Sequence, residues 1–130
     1  MSELLRSMIL EKFTSMSMAP LTVYLTKAQH EAIEKNIEEL NSHQGLSQLI
    51  SKSGYIVSVL ELAGLFAGTM GRPKKIVKNK IAECRSIGVY FTAKQASIIR
   101  ERAESENLSA TALIVSAVES HGGFLYTHGE

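Results

Sequence analysis

The stretch LTVYLTKAQ fills residues 21–29, and IGVYFTAKQ fills residues 87–95, an offset of 66. Each opens with a short alternating run. Leu21, Val23 and Leu25 fall on one side of an extended chain and Thr22 and Tyr24 on the other; Ile87, Val89 and Phe91 oppose Gly88 and Tyr90 in the same way. Period two in β-branched and aromatic residues predicts a half-buried strand. A helix then begins in each copy. Thr26 with Gln29, and Thr92 with Gln95, fit the capping box, in which a Ser or Thr side chain and a Glu or Gln three residues later each bond the other's backbone N–H. Ile33, Ile37 and Leu40 share a face of the first helix, and Ala96, Ile99 and Ala103 share a face of the second.

The repeat extends further. ISKSGYIVSVLELAG (50–64) lies over LSATALIVSAVESHG (108–122) without a gap, now at an offset of 58. The first copy therefore carries 66 − 58 = 8 additional residues, in its first helix or in the loop around NSHQGLSQ (41–48). Ser51 and Ser53, and Ser109 and Thr111, suit the start of a final helix. Gly64 and Gly122 suit its end.

Residues 1–17 form a segment of their own, with Leu4, Leu5, Met8, Ile9 and Phe13 at helical spacing. Its polar face is mixed in charge, so it reads as an amphipathic packing or oligomerisation helix rather than a membrane anchor. The expected organisation is this helix, a first unit at 20–64, a connector at 65–85, a second unit at 86–122 and a tail at 123–130, which the glycines of HGGFLYTHG predict to be flexible. One strand–helix–helix unit cannot bury its apolar face alone, because a single strand has unpaired edges and two helices make a thin layer. Two copies solve this if the strands pair antiparallel into a two-stranded ribbon over four helices. The expected fold class is α+β, mostly helical.

The strand TVYLT followed by a helix and SKSGYIVSVLE, and GVYFT followed by a helix and NLSATALIVSAVE, resembles the ribbon-helix-helix DNA-binding family of Arc-, MetJ- and CopG-like repressors. The second unit is the better match, because its final helix opens with the LSxSxxI-like pattern of that family. The tandem arrangement is similar to that of TraY-type proteins of conjugative plasmids. The resemblance implies an intramolecular pseudo-dimer whose ribbon enters the major groove of double-stranded DNA. It implies base-facing roles for Thr22, Tyr24, Gly88 and Tyr90. It implies phosphate-facing roles for Ser51, Lys52, Ser53, Ser109, Ala110 and Thr111, at helix N-termini that favour an anion. Family ribbons often turn Arg, Lys, Gln or Asn outward, whereas this one offers Thr, Tyr, Gly and Tyr, so either recognition leans on shape or the ribbon has another task. Gly88 standing where the first copy has Thr22 predicts two unequal half-sites.

Net charge is +1, but its distribution is uneven. Residues 72–85 hold Arg72, Lys74, Lys75, Lys78, Lys80 and Arg85 against Glu83, a balance of 6 − 1 = +5, whereas EAIEKNIEEL (31–40) is acidic. The basic segment reads either as a solvated face or as a contact for an anionic partner such as DNA, in which case Arg72, Lys74, Lys75, Lys78 and Lys80 would strengthen binding without reading sequence. GRPKK (71–75) is similar to the core of an AT-hook, but the flanks disagree; PKKIVKNKIAECR reads as a basic connecting helix, with Pro73 in its first turn and Val77, Ile81 and Cys84 on one face, or as a basic arm that touches phosphate.

The longest apolar run, residues 55–68, is too short to span a bilayer and is interrupted by Glu61. The N-terminus does not read as a signal peptide. A single cysteine, Cys84, fits a reducing compartment, so a cytoplasmic protein is expected. His30, His43, His121 and His128 lack metal-ligand spacing and are expected at the surface. No phosphate loop or nucleophile elbow is present. The expectation is a non-enzymatic, cofactor-free, sequence-preferring DNA-binding protein of bacterial, phage or plasmid type, acting in transcription regulation. It would work with DNA, with further copies of itself on DNA, or with a polymerase, relaxase or recombinase. The alternatives are an accessory protein of a conjugation (relaxosome) or recombination complex, and an antitoxin-like protein-interaction module.

Overall fold

Alternation decides the strands. In the computed structural model, which describes residues 18–43 and 50–125, β1 spans Met18–Leu25 and β2 spans Arg85–Thr92. The helix expected over residues 1–17 lies outside the described residues. Val23, Leu25, Val89 and Phe91 are fully buried, while Thr22, Gly88 and Tyr90 are exposed on the other face. The strands pair antiparallel, with Leu21 opposite Val89, Thr22 opposite Gly88 and Val23 opposite Ile87. Thr22 and Gly88 are the same position of the two quoted stretches, since 88 − 22 = 66, and they meet at the centre of the register. A slip of one residue would turn the buried set out to solvent, so burial holds this register.

Each strand is followed by two helices: α1 (Lys27–His43) and α2 (Lys52–Ala63) after β1, and α3 (Ala93–Ser105) and α4 (Ala110–Ser120) after β2. The fold of the described residues is α+β and mostly helical, with a two-stranded antiparallel sheet. The 8 additional residues are divided evenly. Helix α1 has 17 residues against 13 in α3, and the α1–α2 interval, 44–51, is 4 longer than the α3–α4 interval, 106–109. Both capping boxes form. Gln29 N–H donates to Thr26 Oγ1 at 3.2 Å and Thr26 N–H to Gln29 Oε1 at 2.9 Å. The Thr92–Gln95 pair does the same at 3.1 and 3.0 Å.

The packing is crossed: α2 lies on β2, and α4 lies on β1. Neither strand–helix–helix segment is therefore an independent layer. Helix α4 is central, with every residue from Ala112 to Val118 buried. Ile56 and Leu60 of α2, Ile99 of α3 and Leu113 of α4 join the strand residues in one core. Phe66 stands edge-on to Phe91 at a centroid distance of 6.2 Å. Of the face expected on α1, Ile33 is buried, Ile37 is half-buried and Leu40 is exposed, so the end of that helix runs past the core.

Helix α2 ends at Gly64, whose φ of +87° is left-handed. Leu65 N–H donates to Leu60 O at 3.2 Å across this stop, as in a Schellman motif. A Cβ at Gly64 would run into the Thr69 hydroxyl, so glycine is required there. Helix α3 stops in the same way with Asn107 at φ +57°.

Two expectations need correction. The connector does not form the expected helix: among its residues only Ile81–Glu83 make a short 3-10 turn. The reason is a competing set of long-range bonds. The buried Ser116 Oγ takes the Val77 N–H at 2.8 Å and lies 3.4 Å from Val77 O, which satisfies a hydroxyl in an otherwise apolar stretch of α4. Asn79 Nδ2 donates to Tyr24 O and to Gln29 Oε1, both at 2.8 Å. Extended chain covers about 3.3 Å per residue against about 1.5 Å in a helix, which lets the connector pass from α4 to β1. The tail is also tied down at its start. Gly123 is buried, and its carbonyl accepts from the Tyr55 hydroxyl at 2.6 Å. Asn36 Nδ2 donates to Tyr55 Oη at 3.1 Å and to Leu125 O at 3.0 Å.

The alternation makes a sharp contrast testable. Phe91→Ala should lower stability by about 3–5 kcal/mol in urea unfolding, while Tyr90→Ala, next to it on the exposed face, should change it by no more than about 1 kcal/mol. Equal losses would contradict the assignment of the two faces.

Candidate nucleic-acid interface

A two-stranded ribbon has two outer edges of unpaired backbone groups. Here each edge is met by the start of a final helix. Ser53 of α2 accepts the Tyr90 N–H of β2 at 2.8 Å, and the Thr111 hydroxyl of α4 donates to Thr22 O of β1 at 2.9 Å. Because the Tyr90 N–H is turned out of the ribbon, the paired Pro20, which has no N–H, removes no ladder bond. The two hydroxyls thus dock the helix N-termini at opposite edges of the exposed face. The neighbouring hydroxyls cap the helices: Ser51 accepts from Gly54 N–H at 3.0 Å and Ser109 from Ala112 N–H at 3.1 Å. By helix geometry the amides of Lys52 and Ser53, and of Ala110 and Thr111, have no intrahelical acceptor. These first-turn amides carry the partial positive charge of the helix dipole.

The sequence-derived residues therefore come together in one region. Thr22, Gly88 and Tyr90 are exposed on the free face of the ribbon, and Tyr24 is half-buried there beside the connector. Ser51, Lys52, Ser53, Ser109, Ala110 and Thr111 form the first turns at its edges. Of these, Ser53 and Thr111 hold the ribbon with their side chains.

The two ends differ in charge. Lys52 donates to His30 Nε2 at 3.2 Å and lies 3.6 Å from Glu34 Oε2, while His30 Nδ1–H donates to Glu34 Oε1 at 3.2 Å. The pattern places the ring proton of His30 on Nδ1. His30 is buried, contrary to the surface position expected for it, because α2 begins directly over its ring. His121 is exposed, and the side chains of His43 and His128 lie outside the described residues. At the other end Ala110 stands where Lys52 stands in the first copy, since 110 − 52 = 58, and offers no cation.

The connector's charges divide likewise. Arg72 pairs with Glu106 at 3.2 Å, and Glu106 also holds Arg102 at 2.8 Å. Arg102 donates in turn to Gly71 O at 3.1 Å, and Pro73 is buried. The GRP core is thus anchored on the end of α3 rather than free to lie in a groove. Lys74, Lys75, Lys78 and Lys80 are exposed.

Sequence reasoning missed the grip of Asn79 on Tyr24 and Gln29, the Ser116–Val77 bond and the His30–Glu34–Lys52 cluster. No periodicity or motif marks a lone Asn or Ser that bonds a distant segment. Among the described residues, no three His, Cys, Asp or Glu side chains gather as a metal set. Burial, and then the Glu83 carboxylate beside it, push the Cys84 thiol above its usual range, the reverse of the activation a nucleophile needs.

The edge contacts predict a local effect. Ser53→Ala should speed hydrogen exchange at the Tyr90 amide while lowering global stability by only about 0.5–1.5 kcal/mol. An unchanged Tyr90 exchange rate, measured by NMR, would mean that Ser53 does not hold this edge.

No family model matches the sequence, and neither a curated protein nor a solved structure matches it.

Proposed function

We propose that the chain is a tandem ribbon-helix-helix protein, its two strand–helix–helix segments forming an intramolecular pseudo-dimer that binds double-stranded DNA in a sequence-preferring way and regulates transcription. One observation carries the reading. The register is centred on the equivalent residues Thr22 and Gly88, and each final helix crosses to the opposite strand, so that a capped helix N-terminus stands at either edge of one exposed ribbon face. Two strands about 4.8 Å apart fit a major groove about 12 Å wide. Helix N-termini at the ribbon edges then face the phosphates that border that groove. Thr22, Tyr24 and Tyr90 meet base edges, and Lys74, Lys75, Lys78 and Lys80 add contacts that are independent of sequence.

Gly88 supports this reading. Its φ is not left-handed, and a Cβ there would meet nothing closer than Tyr90 Cε2 at 4.0 Å. Nothing among the described residues requires glycine at the centre of this strand, where it weakens the ribbon. Glycine in that place suits close approach of another molecule.

The test is selection of bound duplexes from a random library, followed by titration of affinity against salt. The expected result is an imperfect palindrome, with Gly88 and Lys52 reading one half-site and Thr22 and Ala110 the other. Tyr24→Ala or Tyr90→Ala should reduce discrimination by about 1–2 kcal/mol, roughly 5- to 30-fold. Lys74→Ala with Lys75→Ala should weaken binding to every sequence and lower the salt slope by about 2. Gly88→Thr should stabilise the fold by up to about 1 kcal/mol and weaken DNA binding. Recovery of no motif, with affinity no higher than that of an unrelated basic protein, would remove the DNA-binding reading and leave protein interaction in its place.

A further inference from the structure

The connector does more than join the two halves. With β1 and the first turns of α4 it borders a half-open cleft of about 350 Å³ at one end of the ribbon. Val77, Leu108 and Val115 supply apolar wall, and Lys78, Tyr24 and Thr111 bring polar groups to it. The wall is fixed rather than loose: Val77 is bonded to Ser116, and Asn79 to Tyr24 and Gln29. The volume lies at the small end of the range of about 300–1,000 Å³ typical of small-molecule sites, which combine apolar walls with a few polar groups and are largely pre-formed. Its charge is one-sided. Among the described residues no Asp or Glu lines it and Lys78 is its one cationic side chain, with Lys74, Lys75 and Lys80 on the same connector.

We infer that this cavity binds a small organic anion, a carboxylate or sulfonate with a compact apolar body. The body lies against Val77, Leu108 and Val115, and the anionic group is held at the Lys78 side. A neutral molecule of the same shape loses the Lys78 interaction, and a cation meets none of the carboxylates it needs. A consequence rests on the DNA-binding reading of the ribbon. Tyr24 and Thr111 belong both to this cavity and to the proposed DNA face, so the ligand and DNA weaken each other's binding, by equal factors.

The site is tested on the full chain without DNA, using 8-anilinonaphthalene-1-sulfonate as a fluorescent probe. The expected result is saturable one-site binding, displaced by octanoate but not by octanol. Lys78→Met should weaken the probe about fivefold, the order set by one partly solvated ion pair. Ala112→Leu, which fills the cavity from α4, should abolish binding while far-UV circular dichroism stays native. If that variant does not fold, Lys78→Met and the octanoate–octanol comparison carry the test alone. Equal displacement by octanol, or unchanged binding in Lys78→Met, overturns the proposal. A second arm adds a selected duplex: octanoate should lower its affinity. Probe binding without any effect on DNA keeps the site and removes the shared surface. Failure to select any duplex overturns the DNA reading and leaves the ligand result standing.

Discussion

The antiparallel pairing of β1 with β2 is the constraint on which the rest of this molecule depends. A single strand leaves its N–H and C=O groups without partners, and the two strands here are each other's only partners among the described residues. Pairing them satisfies the inner edges, and Ser53 and Thr111 meet the outer ones. Because those hydroxyls sit in the first turns of α2 and α4, satisfying the ribbon also fixes where both final helices begin. The crossed packing follows, since α2 is fastened to β2 and α4 to β1.

The connector then makes the two halves unequal. Its backbone at Val77 satisfies the buried Ser116, and its Asn79 ties β1 to the first capping box. The second capping box, Thr92 with Gln95, has no such attachment from the connector among the hydrogen bonds of the described residues. At the other end of the connector, Glu106 gathers Arg72 and Arg102. A repeat that is nearly symmetric in sequence thus presents two different ends: one with Lys52 held over His30, the other with Ala110 beside a walled cavity. In the proposed reading this inequality adds to that of Thr22 and Gly88 in distinguishing one half-site from the other.

The same economy governs the polar residues. Ser51 and Ser109 cap, Ser53 and Thr111 dock, and Ser116 anchors the connector. Short hydroxyls suit these roles because they bond nearby backbone groups with little loss of side-chain freedom. Two serines two residues apart at the start of one helix therefore do unlike work, one within the helix and one across to the ribbon.

The local elements were legible in the sequence because their causes are local. Period two in LTVYLT and IGVYFT set the buried faces, the Thr–Gln spacings set both capping boxes, and Gly64 set a helix stop whose left-handed φ excludes a side chain. The repeat itself implied that the strands meet, because neither copy can bury its apolar face alone. The tertiary structure decided what depends on groups far apart in the chain. It placed the connector in extended form because Ser116 takes the Val77 N–H that a helix would have kept for itself, and because the Asn79 side chain reaches Tyr24 O. It buried His30 because α2 begins over it, and pinned Gly123 because the Tyr55 hydroxyl required an acceptor. A buried polar group takes whichever partner the fold brings within reach, and no spacing along the chain records which one that is.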